Sequence, residues 1–458
     1  MSNEVMGITR RKFAIGAGTL AFTGLLKSLS NAAPASAMSK IEAYGPLVED
    51  PDGILDLPIG FNYKIISRLG DQMDDGFLVP DRADGMGCIA LDGTKVALVR
   101  NHEIGLRSYD PKLKSMHGSL KDVSFDYFDS GEPLPGGTTT IIFDMASGER
   151  TGEYRSLIGT LTNCAGGVTP WGTWLSCEET VRKSGKDVGI NHGWVFEVPA
   201  NERRLTRPVP LTGLGRFKHE AAAVDPNTGI VYLTEDRPNS LFYRFIPKEY
   251  GNLLKGGRLQ ALGLLGEEKG RDSRNWEGAS FIQNNWADVR WIDLDEVDSP
   301  KDDLRIRGRE NGAVIFARGE GIHWADGELY FCCTSGGREK LGQIMRYQPS
   351  DNEGSENENP GRLQLFFEST DPDNFNFGDN LTVAPNGHLL VCEDQYSLIV
   401  DNHLRGITPD GVAYPFAKLR MQTELAGACF SPDGSTLFVN IYKPTMTLAI
   451  TGAWGDFS

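Results

Sequence analysis

The sequence predicts an all-β chain: a six-bladed β-propeller with loop insertions, closed by a strand from near the N-terminus. Three observations carry the prediction. A short strand, a Gly-bearing turn and a second, strongly apolar strand recur six times; the shortest spacing between turns matches a propeller blade; and further strand-like segments follow the hairpins.

In chain order the hairpins run from Cys88–Gly93 into Val96–Arg100, Pro170–Gly172 into Thr173–Cys177, and Asp225–Gly229 into Ile230–Thr234. Trp324–Gly327 leads into Glu328–Cys333, Pro385–Gly387 into His388–Cys392, and Pro432–Gly434 into Thr436–Asn440. Asp-Gly and Asn-Gly mark tight turns because the backbone there takes positive φ. The turn glycines fall at 93, 172, 229, 327, 387 and 434, and the last spacing, 47 residues, is close to the roughly 40 to 50 residues of a four-stranded blade. Longer spacings imply insertions, read as polar loops at Ile104–Gly136, Tyr250–Asn311 and Ser350–Gly361, the last as a solvated acidic hairpin end. The final unit stops soon after Met446–Ile450, so Tyr63–Leu69 is expected to complete it and close the ring. A two-sheet sandwich is the alternative fold.

Ahead of this array, Thr9-Arg10-Arg11-Lys12-Phe13 precedes a short apolar stretch, Ala14 to Leu26, and Ala35-Ser36-Ala37 offers a small-residue cleavage site. This is the pattern of a twin-arginine signal over residues 1–37, followed by one domain over 38–458. It implies passage through the twin-arginine export machinery in folded form to a periplasmic or secreted location, with no stable membrane anchor. A monomer is expected. The net charge of −16 at pH 7 argues against nucleic acid as a partner and repels any phosphate-bearing substrate unless cations intervene. Seven cysteines without a C-x-x-C pair fit neither a disulfide framework nor a zinc ribbon. Cys177, Cys332, Cys392 and Cys429 lie in apolar strand patterns and read as small buried hydrophobes, whereas Cys164 stands in a polar, glycine-rich run.

The chemistry is expected where the repeats converge. Just before the first strand of each unit stands a polar residue: Asp84, Cys164, Glu220, Glu320, Asp379 and Glu424. Equivalent positions in a closed ring meet at one end of the channel. The second strands add Glu103, Glu178-Glu179, Glu235-Asp236 and Glu393-Asp394 just past their apolar runs. Carboxylates crowded into a desolvated mouth must take up protons or bind cations. Oxygen-rich sets suit calcium, and one thiolate among them suits a transition metal such as iron. Arg318, two residues before Glu320, either binds a phosphoryl group or pairs with a carboxylate, and Asn101 is a second candidate for substrate contact. No Walker loop, nucleophile elbow, dinucleotide fingerprint or zincin motif is present.

Arg100-Asn101-His102-Glu103, Asn163-Cys164-Ala165-Gly166-Gly167, Trp174-Leu175-Ser176-Cys177-Glu178-Glu179, Lys218-His219-Glu220, Arg318-Gly319-Glu320-Gly321, Gly378-Asp379-Asn380 and Cys392-Glu393-Asp394 together resemble the PhoX-type alkaline phosphatases. That resemblance implies a six-bladed propeller, phosphomonoester substrates, and a cofactor combining iron (Fe3+) and calcium (Ca2+). It implies that Cys164 and Glu179 ligate iron, that Glu220, Glu320, Asp379 and Glu393 hold iron or calcium, and that Arg318 holds the substrate phosphate. Glu103, Glu178 and Glu424 complete the candidate metal set, with the choice between adjacent acids left open. A calcium-dependent lactonase-type propeller and a non-catalytic calcium-binding propeller are the alternatives; the lactonase reading leaves Cys164 and Arg318 without roles.

Overall fold

The computed structural model describes residues 44–108, 123–395, 397–398 and 401–455; the expected signal segment lies outside them. Strands β1 (Leu47–Val48), β2 (Leu55–Pro58) and β3 (Asn62–Arg68) precede a first meander, β4 (Ala83–Ala90), β5 (Lys95–His102), β6 (Gly136–Asp144) and β7 (Glu149–Thr160). Then come β8 (Asn163–Val168), β9 (Thr173–Glu178) and β10 (Val195–Pro199), followed by β11 (His219–Val224), β12 (Val231–Glu235), β13 (Phe242–Pro247), β14 (Gly257–Leu264) and β15 (Trp286–Asp293). Helix α1 (Leu304–Glu310) leads to β16 (Gly319–Ala325), β17 (Glu328–Cys333), β18 (Gln343–Gln348) and β19 (Arg362–Glu368). The chain finishes with β20 (Gly378–Val383), β21 (Leu389–Glu393), β22 (His403–Ile407), β23 (Ala413–Leu419), β24 (Leu425–Phe430), β25 (Thr436–Ile441) and β26 (Met446–Thr451).

All six expected hairpins form, and each turn glycine has positive φ, between 71° at Gly434 and 84° at Gly172. The arrangement is propeller-like. The first strands pack side by side in the cyclic order β4, β8, β11, β16, β20, β24 and back to β4. Glycine permits this approach: a Cβ on Gly85 would lie 2.4 Å from Ala165 Cα, and one on Gly321 would lie 2.6 Å from Asn380 Cα. Apolar side chains between neighbouring sheets form the core, as where Leu175 and Cys177 meet Ala222, Leu233 and Tyr243. As the sequence predicts, β3 pairs antiparallel with β26 and completes the last sheet, so two stacked sheets are excluded.

The sequence predicts six units, whereas hydrogen bonding groups the strands into five sheets among the described residues. The difference is β15. It pairs with β14 on one side and β19 on the other, and so fuses two four-stranded meanders into one nine-stranded sheet. The Tyr250–Asn311 stretch is therefore not simply a loop. Its segment Leu259–Leu264 is buried throughout, which gives β14 a packing partner that its polar flanks conceal. The acidic run Ser350–Gly361 also differs from expectation. Glu353 and Glu358 fold back onto the buried guanidinium of Arg244, with Arg244 Nη1 2.5 Å from Glu353 Oε1 and Arg244 Nη2 2.6 Å from Glu358 Oε1. An unpaired buried Arg would be costly, so these two acids are drawn inward rather than solvated.

Candidate metal centre

One local device, repeated around the ring, builds the mouth of the channel. In each first strand the register slips by a bulge just after entry: Ala83 to Met86, Asn163 to Gly166, His219 to Ala222, Gly319 to Ile322, Gly378 to Leu381, and Ala426 to Cys429. Bulges re-aim side chains. The bulged residues include Asp84, Cys164, Glu220, Glu320 and Asp379, five of the six expected positions. Two residues earlier stand Arg82, Thr162, Lys218, Arg318, Phe377 and Glu424, whose carbonyls accept hydrogen bonds from the amides of Glu103, Glu179, Asp236, Thr334, Asp394 and Tyr442. Three sets of equivalent residues therefore surround the mouth. Glu424 belongs to the entry set with Arg318, and the position matching Asp84 in the last sheet is Ala426, which explains why Glu424 lies furthest ahead of its turn glycine.

The bulged acids form two overlapping groups. Ligand atoms of Cys164, Glu179 and Glu220 all lie within 4.8 Å of one another, as do those of Glu220, Glu320 and Asp379. Glu220 is fully buried and neither of its carboxylate oxygens has a hydrogen-bond partner; Asp84 Oδ1 is in the same state. The Cys164 thiol lies 3.5 Å from Asp84 Oδ2. Burial and mutual repulsion push the Asp84, Glu179, Glu220, Glu320, Glu103 and Glu424 carboxyls and the Cys164 thiol upward, and Asp379 reaches about 8. Buried oxygens without partners are costly unless a cation supplies the missing interaction. The donor set fits metal ions. The first group offers a sulfur with oxygens; the second offers oxygens alone.

Cations border this acidic surface. Lys218 bridges Glu179 and Asp236, its Nζ 2.7 Å from Asp236 Oδ2. Arg318 donates from Nε to Asp236 Oδ1 at 2.7 Å, while its Nη2 lies 2.8 Å from Glu320 Oε1 without the alignment of a hydrogen bond. Burial opposes it, yet Arg318 and Lys218 hold the Asp236 carboxyl below the ordinary range. Both readings of Arg318 thus remain compatible with its place: it is paired with carboxylates, and its side chain is 27% exposed at the mouth. Glu103 sits under the Tyr442 hydroxyl, which also accepts from Arg82 Nη1 at 2.6 Å.

Three sequence expectations need correction. Glu178 points away from the cluster: it accepts from Leu161 N, His192 Nδ1, Gly193 N and Trp194 N at 2.6 to 3.2 Å. Glu393 likewise accepts from Asn376 N, His403 N and Arg405 Nε at 2.8 to 2.9 Å. Successive residues of a strand face opposite sides, so of each acid pair the second member, Glu179, Asp236 or Asp394, reaches the mouth. Asn101 is fully buried and fully bonded: Nδ2 donates to the Cys164 and Ala165 carbonyls, and Oδ1 accepts from Trp174 Nε1 and Ser176 Oγ. It holds the strand that carries Cys164 and has no face for substrate. Asp236, Asp394 and Lys218 are the residues that sequence reasoning left without a role; the signal for the two acids is their place just after the ladder partner of the bulge, and for Lys218 its place two residues ahead of Glu220.

The family model for alkaline phosphatase PhoX matches residues 42–132 and 144–445. The fold is similar to that of Pseudomonas fluorescens PhoX in complex with vanadate, a transition state analogue, with a TM-score of 0.67, 21% identity, and coverage of 87% of this chain and 96% of that one. A gluconolactonase from Xanthomonas campestris aligns over 91% of this chain and 100% of its own at 12% identity, but its TM-score of 0.39 is too low to bear on function. No curated protein sequence matches the chain. With nearly the whole described chain under one family model, the chain belongs to the alkaline phosphatase PhoX family and is a phosphoric monoester hydrolase.

Proposed function

We propose that this chain is an exported, metal-dependent alkaline phosphatase that hydrolyses phosphomonoesters at an iron–calcium cluster in the channel mouth of a six-bladed propeller. The blade count takes the nine-stranded sheet as two blades fused through β15. Export through the twin-arginine route rests on Arg10-Arg11 and the Ala-rich cleavage pattern.

The observation that carries the metal reading is Glu220, buried with both oxygens unpartnered and shared by the two ligand groups. Cys164, Glu179 and Glu220 would hold the iron, because a thiolate beside carboxylates suits a transition metal; Glu220, Glu320 and Asp379 would hold calcium, because hard oxygens do. When bound, the cluster supplies positive charge that neutralises the phosphate and activates an oxygen nucleophile. The protein's own part is orientation. Asp236 fixes the Arg318 guanidinium, so it meets the phosphoryl oxygens without reorganising, and Lys218 holds Glu179 and Asp236 in register. Asn101 anchors the backbone of Cys164 from behind.

Elemental analysis of protein purified without added metal, paired with hydrolysis of a chromogenic phosphomonoester, tests this reading. Iron and calcium with turnover are expected. Turnover at full rate in protein freed of both metals would overturn it.

A further inference from the structure

We infer that a pocket of about 570 Å³ beside the mouth, walled by Arg82, Arg107 and Arg182, binds a second anionic group on the leaving-group side of the substrate. The preferred phosphomonoesters would then be those whose alcohol carries a carboxylate or another phosphoryl group. This inference rests on the phosphatase reading above.

The first argument is position. Arg82 and Thr162 line the pocket and stand two residues ahead of Asp84 and Cys164, while Thr180 follows Glu179 directly. The pocket and the metal centre thus share one wall, drawn from two neighbouring units of the ring. Arg318, the proposed phosphoryl contact, lies three units away in the cyclic order, on the far side of the mouth. A substrate held by its phosphoryl end near Arg318 would direct its alcohol toward Arg82.

The second argument is charge. The chain carries 62 Asp and Glu against 46 Lys and Arg, yet among the described residues no Asp or Glu lines this pocket, and three arginines do. Guanidinium is the side chain suited to carboxylate and phosphate oxygens, which it binds through paired N–H donors. Asp187 meets Arg182 Nη1 at 3.0 Å, but the two side chains are 40% and 55% exposed, so that pair is weak and open to competition from a ligand. Thr162 and Thr180, residues with neutral hydroxyl donors, belong to the same lining.

The test compares kcat/KM of the purified metal-bound protein for β-glycerophosphate, whose alcohol is uncharged, with phosphoglycerate and a hexose bisphosphate. Phosphoglycerate tests a carboxylate and the bisphosphate a second phosphoryl group. At least one anionic substrate should exceed β-glycerophosphate on the order of tenfold, the worth of one charge-assisted hydrogen bond. Arg107→Ala and Arg182→Ala should each shrink that ratio. Equal kcat/KM for all three substrates, or a ratio unchanged in both variants, would overturn the subsite and leave the phosphatase reading standing. Failure to hydrolyse any of the three would overturn both.

Discussion

Arg82 and Arg318 occupy equivalent places on opposite sides of the channel mouth, each two residues ahead of a bulged carboxylate and each in left-handed backbone, at φ 56° and 53°. A non-glycine residue rarely takes this conformation, and where it does the surroundings hold it there. The two arginines nevertheless meet different partners. Arg82 donates to the Tyr442 hydroxyl, whereas Arg318 lies between Asp236 and Glu320. Replacing Arg318 with Ala should keep the metals, since a cation is no ligand, and should lower phosphatase turnover about 10²-fold or more, as the loss of comparable charge-stabilising donors does. Metal content and kcat measured on the same sample check both halves.

Adjacent acids should behave as opposites. Glu179→Gln should lose metal and activity together. Glu178→Gln should keep metal but destabilise the fold by about 1–3 kcal/mol, because the amide group would face donors that the carboxylate now satisfies. Thermal unfolding and metal analysis of the pair separate these outcomes.

Asn101→Ala should act on stability rather than on substrate binding. It strips Trp174 Nε1 and Ser176 Oγ of a buried acceptor, at about 1–3 kcal/mol for each orphaned group. The melting temperature should fall and KM for a phosphomonoester should hold; a raised KM with an unchanged melting temperature would contradict the assignment.

Chelation should abolish activity and calcium should restore it. Stripping the cations leaves Asp84 and Glu220 with buried, unpartnered oxygens, so the melting temperature should fall with the metal and recover with calcium. Parallel metal analysis and calorimetry follow both.

His192 should make stability pH-dependent. Although burial opposes its charge, Glu178 at 2.6 Å and Asp126 at 3.1 Å raise its pKa above the ordinary value. The folded protein therefore holds this proton more tightly than the unfolded chain. The resulting stability is whole below about pH 6.5 and is lost as pH climbs through the raised value. His192→Gln should flatten that part of the stability profile, measured by denaturant unfolding across the neutral and alkaline range.

Much of this was legible in the residues themselves. The hairpin turns declare themselves through glycines that need positive φ, and the polar residues before five of the first strands do meet. What stayed hidden was phase. Glu178 and Glu179 differ by one residue, and only the bulge between Asn163 and Gly166 decides which of them faces the mouth. Glu424 was read two places out of register because Ala426, its unit's true counterpart of Asp84, carries no polar atom to mark the site. The burial of Glu353 was equally invisible, since its partner Arg244 stands 109 residues away.

The pairing of β3 with β26 has a consequence for how the protein is made. Arg68 and Met446 lie 378 residues apart, and until they meet the last sheet lacks a strand and the ring is open. The first strands that carry Asp84, Cys164, Glu220, Glu320 and Asp379 belong to that ring, so their places around the mouth are fixed only when it closes. Contacts this distant in sequence form slowly. On the metal reading, closure before loading would leave a ring whose repelling acids have no counter-charge. On that same reading, scarcity of metal would be felt as a loss of folded protein rather than as a slow enzyme.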